Sequence, residues 1–253
     1  YVDIPRDERK MVAHWLSRDP VVEFATLTML PKGGWYGQGP LRHKDVGAGL
    51  PANEVDLYQY DIIILGDIPR SYFRLGGDVS ETKLRWLAEF VARRGGGLVT
   101  MGGRSVYGAG NYQDSALAQI LPFDLAYTGD PQLPRDYTLT PTTLGLVHPV
   151  MQLENDPDAN REAWMDLPTL EGCNQVGPVK AGATLLAVRQ MEGGAVPVIA
   201  IQDVGKGKVL ALTADTTWRW EMMREAEAAD HFRRFWGNAM RYIAPDPRLQ
   251  PGR

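Results

Sequence analysis

The sequence predicts an α/β fold, a doubly wound and mostly parallel sheet in three layers with an antiparallel extension, and three stretches carry that reading. Residues 61–67 (DIIILGD), the run LVTM at 98–101 and residues 208–215 (KVLALTAD) are continuous apolar runs bounded by polar residues or glycine. Such runs mark strands covered on both faces. A helical pattern lies between the first two, and a strand, helix, strand order repeating at about 30 residues implies right-handed crossovers and parallel pairing.

The elements follow in chain order. Tyr1-Val-Asp-Ile reads as the end of a strand that begins upstream, so the chain is taken as a piece excised from a longer protein. Residues 6–18 are helical in pattern, with Met11, Trp15 and Val12, Leu16 at i, i+4 spacing. Residues 21–29 read as a strand. The stretch 31–51, rich in glycine and proline and without a period, reads as a long surface loop. Residues 80–94 form the next helix, with Asp78 or Ser80 as N-cap, Leu84, Leu87 and Val91 inward, and Gly95 to Gly97 as its stop.

Residues 124–194, with their proline, glycine and short strand-like pieces, read as an insertion or antiparallel extension. Residues 196–202, a turn at Gly205-Lys206-Gly207 and the run from 208 form a hairpin with a central second strand. A last helix, from about 224 to 244, packs on the sheet through Phe232, Phe235, Trp236, Met240 and Ile243 before Pro245 and Pro247 end it. One domain over 1–244 with a linker over 245–253 is the expected organisation.

Composition narrows the function classes. A net charge of -4 supplies no positive field, which excludes nucleic acid as the main ligand. No apolar run reaches the roughly 18 to 20 residues of a membrane span. The single cysteine, Cys173, rules out a disulfide framework and a cysteine-rich metal site, and fits a reducing compartment and a bacterial exterior equally.

Three predicted strands end in an acid: Asp3, Asp67 and Asp215. In an open α/β sheet the carboxyl ends of the strands line one crevice, where these carboxylates can meet the Gly102-Gly103 turn and Arg104. Each Asp can equally cap the turn that follows it. A Gly-Gly turn at a helix start presents free N–H groups, an anion or oxyanion site to which Arg104 adds charge. The expected ligand is accordingly small and polar or anionic, with the parent protein's other domains as the alternative partner.

Ser105 is the one hydroxyl close enough to act as a nucleophile there, but it lacks the second glycine of G-x-S-x-G. His148, in LVHPVM, and Asp215 are the candidate bases of a catalytic alternative, a hydrolase or lyase. Cys173 reads as a buried structural residue. His14, His43 and His231 share no metal-ligand spacing, and neither G-x-G-x-x-G nor a P-loop occurs, so no metal or nucleotide cofactor is expected. Trp218, just after Asp215, either stacks a flat or sugar-like ligand or, with Trp220, covers the core.

The ordered set YDIIILGD, FVARRGGGLVTMGG, NYQDSALAQILPF, HPVM, LPTLEGCNQVG, GKGKVLAL and TADTTWRW resembles the glutamine amidotransferase-like family of class I fold, over about residues 1–244. The resemblance implies a flavodoxin-like three-layer fold. Active class I members attack the glutamine amide with a Cys at the strand-to-helix elbow, activated by a His and oriented by a Glu. Gly102 or Gly103 stands at that elbow here and no late His-Pro-Glu occurs, so the resemblance implies a member without glutaminase activity, a pseudoenzyme. It also implies that the chain can be an extracytoplasmic module of a membrane-anchored protein.

Overall fold

The structure, a computed structural model, describes residues 1–42, 49–75, 78–125, 131–222 and 226–245. The side chains of 226–229 are also outside the description. In chain order the first half comprises β1 (Val2–Asp3), α1 (Asp7–Leu16), β2 (Thr26–Met29), β3 (Trp35–Gln38), α2 (Glu54–Leu57), β4 (Ile62–Leu65), the short β5 (Arg74–Leu75) and β6 (Asp78–Val79), α3 (Glu81–Glu89), β7 (Gly97–Thr100) and α4 (Ala116–Ile120). There follow β8 (Gln132–Tyr137), β9 (Thr140–Pro141), α5 (Thr143–Val147), α6 (Pro157–Asp166), β10 (Leu170–Asn174), β11 (Ala183–Met191), β12 (Gly194–Val204), β13 (Gly207–Leu212), α7 (Trp218–Met222) and α8 (Ala226–Ile243).

The main sheet has nine strands in the order β3-β2-β1-β4-β7-β13-β12-β11-β9. Strands β2, β1, β4, β7 and β13 run parallel, β3 closes one edge antiparallel, and β12, β11 and β9 extend the other edge antiparallel. The antiparallel extension therefore draws on both the 124–194 stretch and the hairpin that follows it. Two departures from the sequence reading lie at the start. The 31–51 stretch contains the edge strand β3, whose alternation of half-buried and exposed residues is too short to register as a period. Residues 21–25 stay outside β2, because Pro20 and the exposed Val21 precede the first buried strand residue, Thr26.

Alternation along the central strands builds the three layers. Ile64, Val99 and Leu210 face a core with Val12 and Leu16 of α1 and Phe232, Phe235 and Trp236 of α8. Ile63, Leu98 and Val209 face the opposite core with Leu84 and Leu87 of α3 and Leu117 of α4. On α1, Met11 and Trp15 are half-buried, while Glu8 takes the buried place above Val12. Helix α3 ends in a π-helical turn over Phe90–Arg94 that closes on Gly95 at φ +86°, a left-handed conformation that favours glycine. Ser80 holds the N-cap place of α3 without a side-chain cap bond.

Strands β8 and β10 form a separate two-stranded sheet. Its register shifts between Glu171 and Cys173, where Gly172 lies at φ +65° and Arg135, across the pair, at φ +84°. Buried Arg189 braces β8 beside the bulge: its Nη1 donates to Leu133 O and its Nη2 to Pro134 O, each at 2.8 Å, and its guanidinium lies 4.8 Å from the Tyr137 ring centroid.

Phe235 is the hub of the helical face, edge-on to Trp164, Trp220 and Trp236 with centroids 5.5 to 6.1 Å away. Truncating a fully buried aromatic costs about 3 to 5 kcal/mol. Phe235→Ala is expected to lower the urea-unfolding free energy by that amount with an unchanged slope; a loss under about 1 kcal/mol would show that this cluster does not hold α8 to the sheet.

Candidate functional site

The carboxyl ends of β1, β4, β7 and β13 meet as their parallel register requires, and Asp3, Asp67, Gly102, Gly103 and Asp215 come together there. The residue that joins them is one the sequence reading passed over, Arg6. Its Nε donates to Asp3 Oδ2 at 2.8 Å, and its Nη1 donates to Asp215 Oδ2 at 2.8 Å and to Gly102 O at 2.7 Å. Asp3 is fully buried and also accepts from Tyr1 OH, Ile4 N and Asp67 N, each at 2.8 Å. Burial opposes the charge on Arg6, but Asp3, Tyr1 and Asp215 more than offset it and raise its pKa further.

The Gly102-Gly103 turn departs from expectation in two ways. No helix starts there: residues 104–114 run through turns, with Tyr107 and Asn111 at φ near +60°, and α4 begins only at Ala116. Nor are its N–H groups free. Gly102 N donates to Ala214 O at 3.1 Å, and Gly103 N donates to Asn174 Oδ1 at 2.9 Å. The Asn174 amide returns a bond to Gly103 O at 2.8 Å, and Gln132, its cross-strand partner, adds another at 2.6 Å. The next two amides, Arg104 N and Ser105 N, hold the Asp67 carboxylate. Burial raises the Asp67 pKa, and the Ser105 amide, Arg6 and the Arg104 amide pull it back.

The elbow is also too crowded for any side chain. A Cβ on Gly102 would lie 2.2 Å from Thr213 O, and one on Gly103, at φ +157°, would lie 2.4 Å from Asp67 Cγ. Thus the turn that would carry a nucleophile is filled by Asp67, Asn174 and the Thr213–Ala214 backbone that follows β13. The anion nest exists, and the protein's own carboxylate occupies it.

The remaining candidates divide. Arg104 is exposed, and Ser105 and Trp218 are half-buried at the same edge. Trp220 belongs to the core, its Nε1 donating to Pro168 O at 3.0 Å. His148 is elsewhere: its ring lies 4.6 Å from that of Tyr242, which Lys208 Nζ approaches at 5.5 Å. Lys208 pairs with Gly97 at the amino ends of β13 and β7, roughly 20 Å along the strand from Asp215. Burial lowers the His148 pKa, with Asp203 opposing, and its Nδ1 accepts from Val150 N. His148 and the elbow therefore cannot act on one point, which removes His148 as the base of a hydrolase or lyase at that crevice.

Cys173 lies on β10 beside Asn174, so the two side chains point to opposite faces. Asn174 reaches the elbow, whereas Cys173 faces the core beside Arg189 and Tyr137, and burial raises its thiol pKa against the pull of Arg189. Among the described residues no group of three His, Cys, Asp or Glu side chains has metal-binding geometry. No helix among them is long and apolar enough to cross a membrane. His43 and nearly all of the 245–253 linker lie outside the described residues.

The model of the family described as "Putative glutamine amidotransferase" matches residues 26–245. The chain belongs to this family. The glutamine amidotransferase-like chain is also similar in fold to two solved Salmonella typhimurium structures. Against Cytoplasmic Protein STM3548 the identity is 18% and the TM-score 0.65, covering 93% of this chain and 87% of that one. Against Cytoplasmic Protein STM1381, from strain LT2, the values are 22% and 0.66, covering 93% and 86%. The word cytoplasmic describes those two proteins, and nothing here supports the extracytoplasmic placement. The search of the curated proteins found no match. The family match begins after Asp3 and Arg6, so the ion network at the strand ends is read from the structure alone.

One further carboxyl completes the site. Glu8, 1% exposed, accepts from the Thr217 hydroxyl and from Trp218 N at 2.8 Å, tying α1 to the start of α7. Burial pushes its pKa up to about 7, with Asp215 adding to the rise and Thr217, Trp218 and Arg6 opposing it. A carboxyl raised on folding stabilises the native state below its unfolded value of 4.5, and that stability is lost as pH climbs to about 7. The shift corresponds to about 3 kcal/mol. Glu8→Gln is expected to flatten this slope, so that the mutant gains on the wild type in urea midpoint between pH 5 and pH 8; parallel curves would mean that Glu8 is ionised throughout.

Proposed function

We propose that this glutamine amidotransferase-like chain is a non-catalytic binding module, a pseudoenzyme whose ligand, small and polar, sits in the crevice at the carboxyl edge of the sheet. The crowded elbow carries the reading. A lost nucleophile would leave room for its side chain, but here a Cβ at either glycine collides with backbone or with the Asp67 carboxylate. The donors that would stabilise an oxyanion are committed to Asn174 and Asp67. What the crevice offers instead is a carboxylate fixed from behind: Asp215, whose side chain is 32% exposed, locked by the largely covered Arg6. Second-layer bracing of this kind is how sites hold a recognition group in one orientation. Ser105 and Trp218 at the same edge fit roles as ligand contacts rather than as nucleophile and core cover.

The protein is expected to release no ammonia from glutamine, and Gly103→Cys is expected to gain no such activity while losing at least about 1 to 3 kcal/mol of stability to overpacking. A coupled ammonia assay together with mass spectrometry for a glutaminyl thioester checks both. Ammonia release by the wild type that Cys173→Ser abolishes would overturn the reading.

A further inference from the structure

The crevice makes two unlike demands on whatever enters it. Asp215 Oδ2 is taken by Arg6, while Oδ1 has no donor among the described residues on a side chain 32% exposed. That oxygen asks for a donor. Arg6, with 12% of its side chain exposed, spends Nε on Asp3 and Nη1 on Asp215 and Gly102, and its buried Nη2 has no acceptor among the described residues. That nitrogen asks for an acceptor. Because the guanidinium is planar, Nη2 stands immediately beside the Nη1 that grips Asp215, so the two demands are neighbours.

Charge decides what kind of group can answer both. The Arg6 guanidinium faces the carboxylates of Asp3 and Asp215, with Asp67 alongside and Arg104 exposed at the same edge, so the strand ends do not carry positive charge in excess. A carboxylate or phosphate answers Nη2 and is repelled by Asp215; an ammonium answers Asp215 and offers Nη2 no lone pair. A hydroxyl both donates and accepts.

We infer that the ligand is a neutral polyhydroxylated molecule, with adjacent hydroxyls bridging Asp215 Oδ1 and Arg6 Nη2. This rests on the carboxyl edge being the binding site, and it replaces the anionic ligand that a free Gly-Gly nest would have favoured. The half-buried Trp218, three residues after Asp215, supplies an apolar face against which the C–H side of such a ring can lie. Nη2 is closed to bulk water as the chain stands, so seating the second hydroxyl takes a local side-chain rearrangement around Arg6.

The test is a titration of the chain, followed by Trp218 indole NMR shifts with Trp218→Phe to assign the signal, using myo-inositol and glucose as polyols, inorganic phosphate and malonate as anions, and methylammonium as the cation. Saturable shifts are expected with a polyol, weakened 10-fold or more by Asp215→Asn, which removes a charge-assisted bond and keeps the shape. Arg6→Lys, which retains the charge without Nη2, is expected to weaken polyol binding likewise, and its melting curve shows whether it folds. Asp215→Asn keeps the test decisive if it does not. Polyol binding that Asp215→Asn leaves unchanged, or saturation by phosphate, malonate or methylammonium in place of polyols, would overturn the inference and leave the crevice a binding site. Silence of Trp218 towards every probe would overturn the binding-module reading as well.

Discussion

The buried carboxylate of Asp3 is the constraint on which the arrangement of strand ends depends. Its two oxygens accept from the Tyr1 hydroxyl, the Ile4 and Asp67 amides and the Arg6 guanidinium, so one side chain gathers β1, the chain beyond β4 and the approach to α1. Gly66 makes the approach possible, since a Cβ there would lie 2.1 Å from Asp3 Cγ. Through Arg6 the same charge reaches Gly102 after β7 and Asp215 after β13. A buried charge is tolerated only when paired and fully hydrogen-bonded, and removing one partner of such a pair typically costs about 3 to 5 kcal/mol. Four of the five parallel strands, β1, β4, β7 and β13, are thus tied at their carboxyl ends by polar bonds as well as by the apolar layers on either face.

That dependence explains which parts of the structure were legible in the sequence. The runs at 61–67, 98–101 and 208–215 announced themselves because strands covered on both faces must be apolar throughout. The stripe from Phe232 to Ile243 did so because one face of α8 is buried. Strand β3 was hidden by its four-residue length, α2 by a single buried residue, Leu57. The 124–194 stretch was recognisable as different, but its division between the β8–β10 pair and the main sheet turns on pairings between residues far apart in sequence, such as Gln132 with Asn174, which no local pattern encodes.

The site was half legible for a similar reason. Acids at strand ends can be read from sequence, because strand ends can be. Arg6 could not, since an arginine opening an amphipathic helix looks like a solvated residue until the fold sets three acceptors around it. The position of the Gly-Gly turn can be read from sequence, but the partners of its amides cannot. Free amides were inferred from local geometry, whereas the partners that occupy them, Asn174 and Asp67, lie 71 and 36 residues from Gly103 in sequence. HPVM carries no sign of which end of the sheet His148 packs against; Tyr242 and Lys208 fix it at the amino end.

Glycine at an elbow admits two physical histories, and they leave different traces. Removal of a nucleophile from an otherwise unchanged turn leaves a void and unpaired donors, each costly when buried. Here the space of the missing side chain is taken by Thr213 and Asp67, and every amide from Gly102 to Ser105 has a partner. The turn is therefore internally satisfied, and the polarity of the crevice is reversed relative to a site built around an oxyanion. Donors point into the protein, while Asp215 Oδ1, on a side chain 32% exposed, has no donor among the described residues. That polarity is set by the partners of the elbow amides and not by the family fold, which is kept.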